Sequence, residues 1–209
     1  MALIEVAHPD DREQLLAEAK RLGLVPQGQK LRSRSPYPTE AERTVPLRNG
    51  GSVLLRPTRT TDAPAMQALF FALRPSDVYT RFFTRLASLS DDHAQHLCSV
   101  DYDHEMAFVA VVGEDWERER VVAGSAYYVD PATGLADFAV MVDPGWQGVG
   151  LGTAILGCTA DYARAHSVRG FTADVLPSNT AMLRLLEQLD ATVSRRVVEG
   201  VCECEVIFR

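Results

Sequence analysis

The chain has 209 residues, of which 46% are hydrophobic and 23% charged, the balance of a globular protein with one domain and an appendage. Its formal net charge of −7 argues against nucleic acid as a partner, because a phosphate backbone repels an acidic surface. No apolar run approaches the roughly 20 residues of a membrane span, and the amino terminus lacks the basic-then-apolar pattern of a secretory signal. We therefore expect a cytoplasmic protein with neither a nucleic acid nor a membrane as its partner.

The first 43 residues differ in composition from the rest of the chain. Residues 9–22 predict an amphipathic helix with one apolar stripe. Residues 27–43 contain two prolines, several basic side chains and almost nothing to bury, which is the makeup of a linker. We expect a boundary near Thr44 between an N-terminal unit, residues 1–43, and a second domain, residues 44–209.

In the second domain the hydrophobic period alternates between two and 3.6 residues, which predicts a mixed α/β domain. In chain order the pattern predicts a strand at 52–56, helices at 62–73, 77–86 and 91–99, strands at 106–112, 121–128 and 135–142, a longer helix at 150–166, a strand at 170–175, a helix at 179–189, and strands at 192–198 and 201–208. Polar and glycine-containing turns separate these segments.

The cysteines give no sign of a metal site. A C-x-C pair with two distant single cysteines matches neither a zinc spacing nor a dense disulfide framework. We expect reduced thiols and no bound metal. The four residues are Cys98, Cys158, Cys202 and Cys204.

The most informative stretch is the turn between the predicted strand at 135–142 and the helix at 150–166. It breaks the strand at Pro144 and enters the helix through Gly148, Gly150 and Gly152. Alternating glycines keep Cβ atoms out of the way, so that successive backbone N–H groups converge on one point. The first turn of the helix adds unpaired N–H groups and the positive end of its dipole. This turn therefore predicts an anion site suited to a pyrophosphate.

Two other phosphate-binding motifs fit this context poorly. A Rossmann fingerprint follows the first strand of a parallel βαβ unit, whereas at least three predicted strands precede this turn. A Walker loop needs Lys-Ser or Lys-Thr after its last glycine, and Thr153-Ala154 follows Gly152 instead.

The stretch Gln147–Gly152 has the form Q-x-x-G-x-G after an apolar strand, and it resembles the coenzyme A pyrophosphate loop of the GNAT acetyltransferase superfamily. Two further segments, Val78–Phe83 and Asp101–Ala107, resemble the bacterial protein lysine acetyltransferase (Pat-type) branch, which carries similar S-x-Y-x-R-F-F and D-x-x-E-M-A motifs. The resemblance extends from about Leu47 to Arg209. A shorter N-terminal segment, residues 8–22, is similar to the tail of acetyl-CoA hydrolase/transferase proteins.

The resemblance implies an α/β (α+β) GNAT fold, in which helices flank a central mixed, mostly antiparallel sheet of six to seven strands. A splayed strand pair would hold coenzyme A, with acetyl-CoA as the co-substrate. The residues that the resemblance assigns to the cofactor are Val140, Met141, Val142, Gln147, Gly148, Val149, Gly150, Leu151, Gly152, Thr153, Asn179 and Met182. Asn179 is equally a candidate helix N-cap.

Direct acetyl transfer requires a base, because an amine such as lysine is protonated at neutral pH. The Pat-type branch reads A-E-F-A on the strand before the glycine turn, where this chain has Asp137 in place of the glutamate. Asp137 is the first candidate base, and Glu105 is the second, with a surface salt bridge as its alternative role. The tyrosine that many family members use as a general acid is absent, since leucines occupy that part of the helix after Asn179.

For the acceptor, the resemblance implies an amine, such as a protein lysine of an acyl-CoA synthetase. Tyr79, Phe82 and Phe83 are the candidate substrate-binding residues, with a helix stripe packed on the sheet as their alternative role. A small-molecule amine and a non-catalytic acyl-CoA-sensing module stay open as other functions. A homodimer stays open as the oligomeric state.

Overall fold

The structure is a computed structural model that describes residues 4, 11–29, 36–84, 86–113 and 119–209. Its helices are α1 Arg12–Arg21, α2 Ala63–Ala72, α3 Pro75–Phe82, α4 Asp91–Cys98, α5 Leu151–Ala165 and α6 Thr180–Leu186. Its strands are β1 Arg43–Pro46, β2 Ser52–Pro57, β3 Glu105–Val112, β4 Arg120–Val129, β5 Leu135–Val142, β6 Gly170–Val175, β7 Ala191–Val198 and β8 Val201–Phe208. None of the helices in these ranges is long and apolar enough to cross a membrane.

The strands form one sheet in the order β1-β2-β3-β4-β5-β6-β8-β7. Every neighbouring pair is antiparallel except β5 and β6, which run parallel, so the expected mixed, mostly antiparallel sheet is confirmed. The described part of the chain contains eight strands rather than six to seven. The additional strand is β1, a four-residue edge strand with a single half-buried residue, Val45, and therefore no alternating pattern to reveal it.

Helices cover the sheet on both faces. On one face α5 buries Ile155, Leu156 and Ala163 in the larger hydrophobic cluster, at the spacing of an amphipathic helix. Its buried Thr159 shares a hydrogen bond of 2.7 Å with Ser125 of β4, so both buried hydroxyl groups are satisfied.

On the other face α2, α3 and α4 pack in a second cluster with side chains from β3, β4 and β5. A buried ion pair fixes the start of α2 to β2. Arg56 donates two hydrogen bonds to Asp62, at 2.7 and 2.9 Å, and both side chains are less than a tenth exposed. Bidentate pairing holds the guanidinium and the carboxylate in one geometry, so the helices of this face have a fixed position over the strands.

Part of the predicted linker packs against the sheet domain. The Tyr37 hydroxyl donates a 2.7 Å hydrogen bond to Glu42 and contacts the Pro57 carbonyl oxygen at 3.3 Å, and the Tyr37 ring lies 5.9 Å from the Tyr102 ring. Nearer the amino terminus, Gly28 approaches α4 so closely that an added Cβ would lie 2.6 Å from the Asp92 carbonyl oxygen. Residues 30–35 of that linker lie outside the described residues, and the division of the chain near residue 44 stays a prediction.

Candidate active site

A cleft opens where β5 and β6 separate. The two strands pair only from Leu135 to Asp137 on β5 and from Gly170 to Thr172 on β6. Beyond these residues β5 continues to Val142 with β4 as its partner on the other side. The edge of β5 that faces the cleft is therefore free to pair with an extended ligand, as an added strand would. The cavity between the strands has a volume of about 700 Å³.

The glycine turn closes one end of this cleft. Gly148 and Gly150 have φ angles of +79° and +92°, in the left-handed region where a Cβ atom is disfavoured. The helix α5 begins directly after them, at Leu151. Within the described residues, no hydrogen bond occupies the backbone N–H groups of residues 148–153. Free N–H groups at the positive end of a helix are the expected setting for a phosphate group.

Arginines complement this anion site. Arg48, in the turn between β1 and β2, lies beside Gly150: a Cβ added to that glycine would be 3.6 Å from Arg48 Nε. The backbone N–H of Arg48 also donates to the Val149 carbonyl oxygen at 3.0 Å, which fixes the turn from outside. Arg74 and Arg184 line the same cleft. The local charge at the turn is thus suited to a diphosphate, although the whole chain is acidic.

Replacing Gly150 by alanine should weaken coenzyme A binding. An alanine at a φ of +92° costs about 1–2 kcal/mol, and relaxation of the turn would misdirect its N–H groups. We expect about a tenfold higher dissociation constant by calorimetry. Gly157→Ala is the matched control, because Gly157 lies inside α5 with nothing within 4 Å of its added Cβ. Equal affinities for the two variants would contradict an anion site at this turn.

Most of the residues predicted to bind the cofactor line the cleft: Val140, Met141, Val142, Gln147, Gly148, Gly150, Gly152, Thr153, Asn179 and Met182. Val149 and Leu151 are not among the lining residues, and the Leu151 side chain is completely buried in the core. Leu151 can reach a ligand only through its backbone N–H.

The side chains of Thr153 and Gln147 already form hydrogen bonds within the protein. The Thr153 hydroxyl donates to Gln188 at 2.9 Å, so Thr153 has its backbone N–H rather than this hydroxyl hydrogen to offer a phosphate. The Gln147 amide accepts from Arg74 at 2.5 Å and donates to the Val142 carbonyl oxygen at 3.3 Å.

Asn179 combines the two roles that its sequence position left open. Its side-chain oxygen accepts a 3.1 Å hydrogen bond from the Met182 N–H, as an N-cap of α6 does. The residue also lines the cleft. Its amide nitrogen therefore remains available to a ligand.

The two candidate bases lie on one face of the sheet. Glu105 is directly opposite Tyr128, and Tyr128 is directly opposite Asp137, so the three side chains project from the same face. Asp137 lines the cleft at the point where β5 and β6 separate, whereas Glu105 lies two strands away, about 10 Å, and is not among the lining residues. This arrangement favours Asp137 as the base that reaches an acceptor.

The surroundings of Asp137 adjust its pKa in opposite directions. Desolvation raises the pKa of Asp137 above its usual value, and the Arg81 guanidinium acts against this rise. The carboxylate of Asp174, on the facing strand β6, raises it further. A carboxylate with a raised pKa holds a proton more strongly, which improves it as a general base towards an ammonium group.

The predicted substrate-binding residues separate into two groups. Phe82 and Phe83, at the end of α3, line the cleft. The Phe82 ring also packs against Phe70 at 5.7 Å, so its alternative role in packing holds as well. Tyr79 is 45% exposed and is not among the lining residues, and its assignment to the substrate stays a prediction.

Sequence reasoning missed six charged residues that line the cleft: Arg48, Arg74, Asp77, Arg81, Asp174 and Arg184. Arg81 stands inside the motif that suggested the Pat-type branch, so that motif was an available signal for it. No local pattern marks Arg48, because it is about a hundred residues from the turn that it contacts. No group of three or more potential metal ligands was found among the residues that the structure describes.

Comparison with known proteins agrees with this geometry. The profile of the family described as acetyltransferase (GNAT) domain matches residues 52–192. The chain belongs to the GNAT acetyltransferase family. Acetyltransferase PA5475 of Pseudomonas aeruginosa is 32% identical to it over 136 residues, which are 65% of this chain and 73% of that protein.

Two solved GNAT structures show the same fold. The crystal structure of the GNAT domain of S. lividans PAT superposes with a TM-score of 0.74 at 26% identity, over 81% of this chain and 98% of that one. RimL, a ribosomal L7/L12 alpha-N-protein acetyltransferase in complex with coenzyme A, superposes with a TM-score of 0.59 at 13% identity, over 79% and 98%. Membership in the GNAT family makes the chain an acyltransferase, and acetyl-CoA is its acyl donor.

Proposed function

We propose that this GNAT enzyme transfers the acetyl group of acetyl-CoA to the side-chain amine of a lysine in a protein. The observation that carries the proposal is the position of Asp137, on the cleft floor where the free edge of β5 begins. A base at this point can take a proton from an ammonium group beside the acyl donor. The segments around Arg81 and Glu105 that resemble the Pat-type branch support a protein lysine as the acceptor.

In the proposed reaction Asp137 removes a proton from the lysine ammonium group, and the neutral amine attacks the acetyl carbonyl carbon. The C–N bond forms, the nitrogen releases its second proton to water, the C–S bond breaks, and coenzyme A leaves as a thiolate that takes a proton from water. Leu185, which lines the cleft on α6, offers no proton for this step. A leaving group of thiol acidity does not require a protein acid, so the reaction can proceed without one.

A second groove supports a macromolecular acceptor. It has a volume of about 510 Å³ and lies along β6, β8 and β7, and it shares Ala173 and Asp174 with the cleft. On its floor Glu203 pairs with Arg196 at 2.7 Å, whereas Asp174 and Glu205 are exposed. A peptide segment with basic residues near the target lysine would be attracted to these carboxylates.

The proposal is tested by coenzyme A thiol release with a series of acceptors. These are a lysine peptide with arginine neighbours, the same peptide with glutamine neighbours, a peptide whose only amine is its α-amino group, and the small amine spermidine. We expect the highest kcat/KM with the basic lysine peptide. Turnover with the α-amino peptide or spermidine alone would replace the protein-lysine assignment. Acetyl-CoA binding without turnover of any acceptor would favour a sensing module.

The groove makes a separate prediction about preference. Glu205→Lys should reduce the ratio of kcat/KM between the basic and the glutamine-flanked peptide by about five- to tenfold, since it reverses one charge on the floor. The effect should shrink in high salt, which screens exposed charges. Glu13→Lys, on the surface of α1, is the control for the change in net charge. An unchanged ratio in Glu205→Lys would remove the groove from acceptor recognition.

We also propose a reducing, cytoplasmic setting for this activity. All four cysteines are buried free thiols. Buried thiols without disulfide partners are typical of proteins from reducing compartments.

A further inference from the structure

Arg81 is a half-buried cation at the reaction site, and one of its guanidinium donors is not used by the part of the protein that the structure describes. It lies in the last turn of α3 and is one of the residues that line the cleft. Its Nε is buried without a hydrogen-bond partner among the residues that the structure describes. By contrast, the neighbouring Arg74 donates to Asp77 and to Gln147.

Such an arrangement is unfavourable for folding alone. A buried N–H donor without an acceptor loses its hydrogen bonds to water and gains none in return. Desolvation also lowers the pKa of Arg81, because burial disfavours the charged guanidinium. The Asp137 carboxylate acts against this effect, so the two side chains lie close enough to influence each other. These costs are understandable if a substrate oxygen completes the site.

The guanidinium is also held in place. Its central carbon lies 4.9 Å from the centre of the Phe82 ring, in a cation–π contact. The helix that carries it packs on β5, whose free edge faces the cleft. A fixed cation that needs no reorganisation is the kind of group that stabilises charge developing in a transition state.

We propose that Arg81 is a catalytic residue of acetyl transfer, donating a hydrogen bond to the thioester carbonyl oxygen and stabilising the negative charge that develops there. This inference rests on the proposed function, in which Asp137 is the base. As the amine forms the C–N bond, the carbonyl π electrons move to the oxygen beside Arg81. When the C–S bond breaks, these electrons re-form the carbonyl group, so Arg81 gains and loses no proton.

The kinetic test compares Arg81→Gln, Arg81→Lys and the surface control Arg169→Gln, whose side chain contacts only the carbonyl oxygen of Thr133 among the described hydrogen-bond acceptors. We expect Arg81→Gln to lower kcat about 10²-fold and Arg81→Lys to restore part of the loss. If Arg81 acted only by lowering the pKa of Asp137, the rate of Arg81→Gln would return to the wild-type plateau at higher pH. That return would overturn the proposal, as would a kcat above about one third of wild type at every pH.

A binding measurement provides a readout that does not depend on turnover. Calorimetry without an acceptor compares acetyl-CoA with S-ethyl-CoA, which lacks only the carbonyl oxygen. The wild type should bind acetyl-CoA about tenfold more tightly than S-ethyl-CoA, and Arg81→Gln should bind the two equally. A preference that persists in Arg81→Gln would overturn the assignment of Arg81 to the carbonyl oxygen.

A structural role is separated by thermal unfolding. Since the Nε of Arg81 is a buried donor without an acceptor among the described residues, Arg81→Gln should keep or raise the unfolding midpoint. A lower midpoint together with weaker binding of both ligands would mean that Arg81 serves folding, against the proposal. If the wild type itself transfers no acetyl group to any amine, the proposed function fails, whereas an active wild type with an active Arg81→Gln variant refutes only the Arg81 assignment.

Discussion

Asp137→Asn should lower kcat by about 10²- to 10⁴-fold and leave the affinity for coenzyme A within about twofold of wild type. Asparagine keeps the shape of the side chain but cannot accept the proton of the acceptor ammonium group. Stopped thiol-release assays give the rate, and calorimetry gives the affinity. The matched control is Asp92→Asn, which removes a carboxylate from the exposed first turn of α4.

The pH profile of the wild type should follow the same carboxylate. Because desolvation raises the pKa of Asp137, the acidic limb of kcat/KM should lie above the usual aspartate value, with the rate falling as the pH drops through that limb. The stability of the fold depends on pH in the opposite direction. Because the pKa of Asp137 is raised in the folded state, its protonated form stabilises the fold at low pH, and this stabilisation is lost as the pH rises through the folded-state pKa. Asp137→Asn should therefore be at least as stable as wild type at neutral pH.

Two outcomes would move the catalytic assignment. Unchanged turnover in Asp137→Asn combined with a large loss in Glu105→Gln would transfer the role to Glu105. Unchanged turnover in both variants would leave deprotonation of the amine to solvent. An affinity loss in Asp137→Asn that parallels the rate loss would indicate damage to the cleft rather than loss of a base.

Gly170→Ala should destabilise the fold by about 3 kcal/mol or more, at the upper end of overpacking effects. An added Cβ would lie 2.0 Å from the Val206 carbonyl oxygen and 3.0 Å from Ile207 Cα. Both atoms belong to the backbone of β8, which cannot move aside without breaking its pairing with β6. For a chain of this size the unfolding midpoint should fall by roughly 6–12 °C.

Thermal unfolding checks this expectation, with Gly157→Ala as the control. Gly157 lies inside α5 with open space around its added Cβ, so alanine there should keep or raise the midpoint through its helix propensity. A midpoint within about 2 °C of wild type for Gly170→Ala would mean that β6 and β8 separate more easily than their register indicates. Gly170 also opens the parallel pairing with Leu135, so coenzyme A affinity should fall in the same variant.

The sequence predicted the features that depend on local patterns. The strand at 170–175 and the strand at 201–208 match their predicted bounds. The first begins at Gly170, and the second follows the turn at Gly200. The glycine turn was equally readable, because left-handed backbone at Gly148 and Gly150 leaves few alternatives to glycine.

The sequence did not predict the features that depend on tertiary packing. β1 is visible only as a partner of β2, since its own residues are mostly exposed. Arg48 contacts the glycine turn from the turn between β1 and β2, and no sequence spacing connects these two turns. Arg81 is a half-buried arginine whose Nε the fold removes from solvent, a placement that composition and periodicity do not predict. Glu105 and Asp137 were both candidates for the general base in the sequence. Only the strand register shows that Asp137 lies at the cleft and Glu105 two strands away from it.

The short parallel contact between β5 and β6 has a mechanical consequence. Among the described residues, backbone pairing joins the five-stranded half of the sheet to the three-stranded half, which carries β6, β8 and β7, at only three residue pairs. A pantetheine arm lying along the free edge of β5 would contact both halves of the sheet and restrict their relative motion. The cleft would then be most rigid while the cofactor is bound and most flexible after coenzyme A has left, so the acyl donor would control the rigidity of its own site.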